Sequence, residues 1–346
     1  MIELLKDYGL FLAKAVTIVI AVMMVASAFI SAFKREREGE RRRILVEKLN
    51  HHFEYLRDTL RDEMLSPFER KQVIKERKRE FKAEKKKAKR EAPPKRKKVF
   101  VLKFKGDMHA SAVMALREEI TAILTVSTTE DEVLVQLESN GGTVNSYGLA
   151  ASQLQRLRER KIPLTIAVDK VAASGGYMMA AVGDRIIAAP FAIIGSIGVI
   201  SQVPNFHRLL KKHEIDFEEI SAGEFKRTLS IFGENTEQGR QKFTEQIEDT
   251  HAIFKEFVAE HRSQVDISTV STGEYWYGKR ALDLQLIDEI VTSDDYLLAA
   301  SENCDVYEIT FKPKETLRDK IAHGFEQTLT RVLLSWWGRL ESGRSV

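Results

Sequence analysis

The chain has 346 residues, 43% of them hydrophobic, which suffices for one large domain with appendages. Its single cysteine, Cys304, excludes an intrachain disulfide framework and a cysteine-rich zinc site. The net charge of +3 conceals three blocks: residues 1–67 carry +1, residues 68–98 carry +11, and residues 99–346 carry −9.

The stretch from Ala15 to Phe33 is nineteen residues without a charge. As a helix it would rise ~29 Å at about 1.5 Å per residue, enough to cross a hydrocarbon core. Ala26, Ser27 and Ala28 are small enough for a cleavage site, but the apolar run exceeds the ~7–15 residues of a cleaved signal. The end before it is not clearly positive either. Residues 1–33 are therefore expected to be a single-pass transmembrane anchor. The following flank, KREREGERRR, is far richer in Lys and Arg than the flank before the span. That asymmetry favours a cytoplasmic body, although a large domain can override it.

Residues 34–98 read as a charged, mostly helical strap that ends at Pro93-Pro94. The basic run from Glu69 to Lys98 has few aromatics, only Phe81 within it and Phe68 just before it, and lies beside the expected membrane span. Contact with anionic lipid head groups is expected of it, and nucleic-acid binding is not.

From residue 99 the pattern changes to strands alternating with helices. VFVLKF (99–104), EVLVQLES (132–139) and LTIAVDK (164–170) read as strands. Ala110 to Val126 and Asn145 to Arg160 have helical spacing, a short helix is expected near Met178 to Val182, and RIIAAPFAIIGSIGVI supplies strand and turn. The alternation predicts an α/β layered domain over 99–314. Residues 315–346 carry apolar side chains at helical spacing, from Leu317 to Leu340. They are expected to form an amphipathic helix that packs on the body or a neighbouring subunit, or lies on a membrane surface.

Two glycine turns stand at strand ends. Ser174 follows an apolar strand and precedes Gly175, Gly176 and a helical segment, so its hydroxyl can project from a sharp turn beside helix N-terminal amides. The motif misses G-x-S-x-G because Ala172 holds the first glycine position. On these residues alone, a flexible turn with a helix cap fits equally well. Ser139-Asn140-Gly141-Gly142 forms the second turn, and Gly142 could offer its N–H to an oxyanion. Both turns lie where open α/β sheets collect ligands.

A serine nucleophile needs a base. None of the eight histidines has a recognisable catalytic or metal-binding setting. Lys226, in SAGEFKRTLSIFGENT, could serve if burial and the neighbouring Arg227 held it neutral. A solvated surface lysine is the alternative, and Lys170 is a rival base.

VAASGGYMMA, GSIGVI, GEFKRTL and GENTEQGR, in this order, resemble the signal peptide peptidase A family in its SohB-type branch. The resemblance covers the body and includes the anchor. It implies a ClpP/crotonase-type fold of repeated ββα units and a Ser-Lys dyad, with Ser174 as nucleophile and Lys226 as general base. It further implies that Ser196 positions the lysine and that the backbone amides near Gly142 and Gly175 form the oxyanion hole. No cofactor or metal is implied. A bacterial inner-membrane location, ring-like homo-oligomers and unfolded or membrane-derived peptide substrates are, and the wider family allows a periplasmic body. One departure stands out: the family turn usually reads Ser-Pro-Gly-Gly, and Asn140 replaces the proline. A crotonase-type acyl-CoA enzyme and a catalytically decayed membrane scaffold are the alternative readings.

Overall fold

In the computed structural model the described residues are 43–66, 68–73, 75, 79 and 96–312. The anchor over 1–33, most of the basic run and the C-terminal segment 315–346 lie outside them. Among the described residues no helix is long and apolar enough to cross a membrane.

The central strands are β2 (Lys98–Lys105), β3 (Glu132–Glu138), β4 (Leu164–Val168) and β6 (Arg185–Ala188). They pair in parallel, and β10 (Asp305–Lys312) and β9 (Glu289–Ile290) extend the sheet in parallel on either side. With β1 (Arg43–Lys48) at one edge, the order is β1-β10-β2-β3-β4-β6-β9. Parallel strands are joined by crossover helices, so both sheet faces become covered and the strands read as nearly continuous apolar runs.

That double burial is visible in β2. Phe100, Leu102 and Phe104 join the larger core cluster, whereas Val99 and Val101 join a second cluster with Leu134, Ala167, Ile187 and Val306. Alternate side chains point to opposite faces, so the two clusters are the two sides of one sheet. Helices α2 (Val113–Val126) and α3 (Val144–Glu159) cover the first side. Their buried positions Val113, Leu116, Ile120 and Ile123, and Tyr147, Ala150, Ala151, Leu154 and Leu157, recur every three or four residues. Leu297 and Tyr296, from α9 (Ser293–Asn303), lie on the second side.

A small second sheet, β5-β7-β8, sits beside this one. In it β5 (Val171–Ala173) runs parallel to β7 (Ile193–Gly195), and β8 (Tyr275–Tyr277) is antiparallel to β7. Helix α4 (Gly175–Ala181) leaves β5 directly, and all seven of its residues are buried. Short helices α5 (His207–Lys212), α7 (Ile267–Val270) and α8 (Gly278–Asp283), and the long α6 (Glu237–His261), complete the body. Between β7 and α6 the chain is irregular apart from α5.

The expected strap differs at its first part. Arg43–Lys48 is an edge strand, and α1 (Leu49–Met64) docks on the body. Leu49 and Phe53 pack on the second core cluster. Asn50 is the decisive contact: its amide donates to the carbonyls of Ser301 and Cys304, and its Oδ1 accepts the Val306 N–H at 2.8 Å. A narrow apolar edge and one buried amide suffice where a broad stripe is lacking. Arg262 is a second buried polar anchor, forked onto both Asp288 oxygens at 2.9 Å and donating to the Gln285 carbonyl.

Candidate active site

The site grows from the ends of β3 and β5. Ser139, just past β3, donates its N–H to the Val171 carbonyl and accepts the Ala173 N–H, which stitches the first glycine turn to β5. Gly141 has φ +87. A Cβ there would stand 2.8 Å from the Ala173 carbonyl oxygen, the Gly175 nitrogen and the Ser174 Cβ. A side chain therefore cannot fit, and the turn closes directly on Ser174.

Ser174 itself has φ 52 and ψ −120, a region costly for a residue with a side chain. The strain is held by neighbours: its N–H donates to the Gly195 carbonyl at 2.8 Å, and its carbonyl accepts the Met178 N–H at 3.0 Å. It stands at the N-cap of α4, yet its hydroxyl makes no capping bond. The plain helix-cap explanation of the sequence is thus not met, and the hydroxyl of a half-buried serine is left over for other use. The Gly175 amide follows at the first position of the helix, where N–H groups lack intrahelical acceptors.

The amides of the other turn sort themselves by elimination. The Gly141 N–H donates to Ser139 Oγ at 3.0 Å, and the Thr143 N–H donates to the Met108 carbonyl at 2.9 Å. The Gly142 amide between them is the one not spent in either bond. Ser196 follows Gly195, has φ 53, and donates its N–H to the Glu274 carbonyl. The register Ala173↔Gly195 places it beside Ser174.

The structure therefore brings Ser174, Gly175, the Gly142 turn and Ser196 together. Among the described residues no hydrogen bond links Lys226 to them. Lys226 is exposed, in a turn where its N–H donates to the Gly223 carbonyl. Among the described residues its ammonium has no hydrogen bond or ion pair. The burial expected of it is absent because the segment around it contributes little to the core. The expected repulsion by Arg227 is also offset, since that guanidinium pairs with Glu219 at 2.8 Å. An open cleft of about 360 Å³ adjoins the segment, lined by Phe217, Glu219, Phe225, Arg227, Ser230 and Gln238. The rival base Lys170 is engaged elsewhere, in an ion pair with Glu138.

Sequence reasoning missed one residue under the site, Tyr147. It is fully buried, and its hydroxyl lies 2.6 Å from Ser139 Oγ and donates to the Asp107 carbonyl at 2.8 Å. Burial raises its pKa above the ordinary phenol value. At the surface nearby, the Ser111 hydroxyl and amide hold the Asp107 carboxyl below the usual range. Among the described residues no group of three or more His, Cys, Asp or Glu could hold a metal ion.

Comparison with known proteins places this geometry in context. The family models described as Peptidase family S49 N-terminal and Peptidase family S49 match residues 3–154 and 156–307. A protein of Haemophilus influenzae described as a probable protease SohB is 45% identical over 338 residues, covering 96% of each chain. Another so described, from Buchnera aphidicola subsp. Schizaphis graminum, is 47% identical over 298 residues, covering 86% of each. A mutant of a membrane-bound stomatin-specific protease, solved as a structure, is 17% identical, with a TM-score of 0.42, covering 64% of this chain and 100% of that one.

Proposed function

The chain belongs to peptidase family S49, and we propose that it is a membrane-anchored serine endopeptidase with a Ser174–Lys226 dyad. The observation that carries this reading is the backbone of Ser174: φ 52 at the junction of a parallel strand and a helix N-terminus, with a hydroxyl not used for capping. Strain of this kind persists only where the surrounding structure over-determines it, and it clusters at sites of chemistry.

In the proposed reaction the neutral Lys226 amine accepts the Ser174 proton while Oγ bonds to the scissile carbonyl carbon. The amides of Gly142 and Gly175 stabilise the oxyanion, each worth ~3 kcal/mol. The Lys226 ammonium then protonates the departing amine, and water hydrolyses the acyl-enzyme. Ser196 positions the lysine. Substrates are unfolded or membrane-derived peptides, the fold is of the ClpP/crotonase type, and residues 15–33 hold the body to a bacterial inner membrane.

Lys226 imposes a condition on this reading. A general base must lie within hydrogen-bond reach and lose water to become neutral near pH 7, and in one chain Lys226 is exposed. We therefore infer a homo-oligomer in which another copy covers Lys226 or delivers its own. The exposure of Phe191 (82%), Ile200 (81%) and Ile220 (97%) supports a surface that an assembly covers.

The test is active-site labelling of the detergent-solubilised full chain with a fluorophosphonate, alongside turnover of an unfolded protein. Wild type should label at Ser174 and cleave; Ser174→Ala should do neither. Undiminished cleavage by Ser174→Ala would end the proposal.

A further inference from the structure

Beneath the Gly142 turn runs a chain of hydrogen bonds whose direction is fixed. Tyr147 donates its hydroxyl proton to the Asp107 carbonyl at 2.8 Å, so across the 2.6 Å contact it must accept from Ser139. Ser139 Oγ in turn accepts the Gly141 N–H at 3.0 Å. The order is Gly141 N–H to Ser139 hydroxyl to Tyr147 hydroxyl to Asp107 carbonyl. Every hydroxyl donates once and accepts once, and no alternative orientation satisfies all four groups. Ser139 is 2% exposed and Tyr147 0%, so water does not compete.

The same tyrosine touches the other side of the site. A Cβ on Gly175 would lie 2.4 Å from the Tyr147 ring, so that ring is the surface on which the first residue of α4 rests. One side chain thus contacts both backbone segments that frame Ser174. Its hydroxyl fixes which way the Gly141 amide turns, and its ring sets the height of Gly175.

We propose that Tyr147 is the positioning residue of the oxyanion site, aligning the Gly142 and Gly175 amides through the Ser139 hydroxyl and its own ring; this rests on the serine-peptidase reading above. The inference also accounts for Asn140. A proline in that position would stiffen the turn through its fixed φ, whereas here the buried chain of hydroxyls holds it from below. An oxyanion donor acts only from the correct place, so a small displacement of a turn costs rate rather than affinity.

The test uses the full-length, detergent-solubilised protein and three variants. Tyr147→Phe keeps the ring and deletes only the hydroxyl. Ser139→Ala breaks the same chain one link nearer the turn. Tyr296→Phe is the control: it too loses a hydrogen-bonded hydroxyl, a half-buried one that donates to the buried Glu132. Glu132 begins β3 and Ser139 follows its end, roughly 23 Å away at ~3.3 Å per residue.

For Tyr147→Phe the expected result is a kcat on peptide substrate lower by about tenfold to a hundredfold, with KM within about twofold and slower fluorophosphonate labelling of Ser174. Ser139→Ala should show the same split, and the double variant should lose no more than the worse single one. Tyr296→Phe should keep wild-type kcat. Wild-type kcat in Tyr147→Phe, equal losses in Tyr147→Phe and Tyr296→Phe, or a loss carried by KM would overturn the inference. Should Tyr147→Phe fail to fold, Ser139→Ala decides alone, and unchanged kcat there refutes it. Failure of the wild type to label at Ser174 is a different outcome: it removes the peptidase reading and this inference with it.

Discussion

The amide of Ser174 donates to the carbonyl of Gly195 at 2.8 Å, so the candidate nucleophile hangs from the strand that leads into Ser196. Gly195 can hold that carbonyl there because it has φ +104, with the Trp276 ring only 2.9 Å from where a Cβ would stand. Gly195→Ala should therefore cost about 2 kcal/mol through backbone strain and crowding, and should lower kcat by displacing Ser174. Thermal unfolding and steady-state kinetics on one preparation check both halves. Unchanged values would mean that the strand end tolerates a methyl group without moving.

Ser174→Ala should abolish cleavage, by a factor on the order of 10⁴ or more, with the fold intact. Ser174→Gly should be equally inactive yet more stable than Ser174→Ala by ~1 kcal/mol, because glycine accepts φ 52 without strain. Denaturant midpoints of the two variants give the comparison. Equal midpoints would show that the turn is not strained in solution.

Lys226→Ala should reduce kcat by roughly 10²–10⁴, while His109→Ala should leave it within about twofold. The wild-type rate should show no rise centred on the ordinary histidine pKa. A climb centred near pH 6.5, about where histidine titrates, would assign the base to an imidazole instead.

Arg262 is nearly inaccessible, with 3% of its side chain exposed, and its charge is met by Asp288. Asp288→Ala leaves that guanidinium buried without its carboxylate and should cost about 3 kcal/mol in urea unfolding. Loss of much less would indicate that water reaches the arginine once the partner is gone.

Glu132 and Tyr296 each contribute a pH-dependent part of the stability. Burial pushes the Glu132 carboxyl up, but hydrogen bonds from Tyr296, Lys97 and Thr165 outweigh it and leave the pKa below the ordinary value. Such a group stabilises the fold above its unfolded pKa, and that contribution is lost as the pH falls through the folded one. The stability gap between wild type and Tyr296→Phe should therefore narrow on acidification below pH ~4.5. On the alkaline side, burial and Glu132 push the Tyr296 phenol up to about 12. Its contribution is complete below pH ~10 and lost between there and about 12. Parallel pH curves for the two proteins would contradict both halves.

The sequence was most legible where backbone chemistry is local. Strand-length apolar runs, helical spacing and the Gly-Gly pairs located β2 to β4, α2, α3 and both turns around Ser174. It was least legible where one polar group meets distant backbone. Asn50 sits in a charged stretch with nothing to mark it, and its three partners lie some 250 residues onward. RILVEK, flanked by charge, gave no sign of pairing as an edge strand. Tyr147 occupies a helix position that suits a plain core residue, and only the fold brings its hydroxyl to Ser139. Lys226 is a different case: only the family resemblance nominates it, and the single chain leaves it at the surface.

The Asn50 clasp has a mechanical consequence. It ties the start of the described body to the last strand, and β1 lies at the sheet edge with β10 and β2 between it and β3. A pull arriving along the polypeptide from the direction of residue 43 would load that outer seam first. The turns that flank Ser174 would stay slack, so the scissors keep their edge while the handle is tugged.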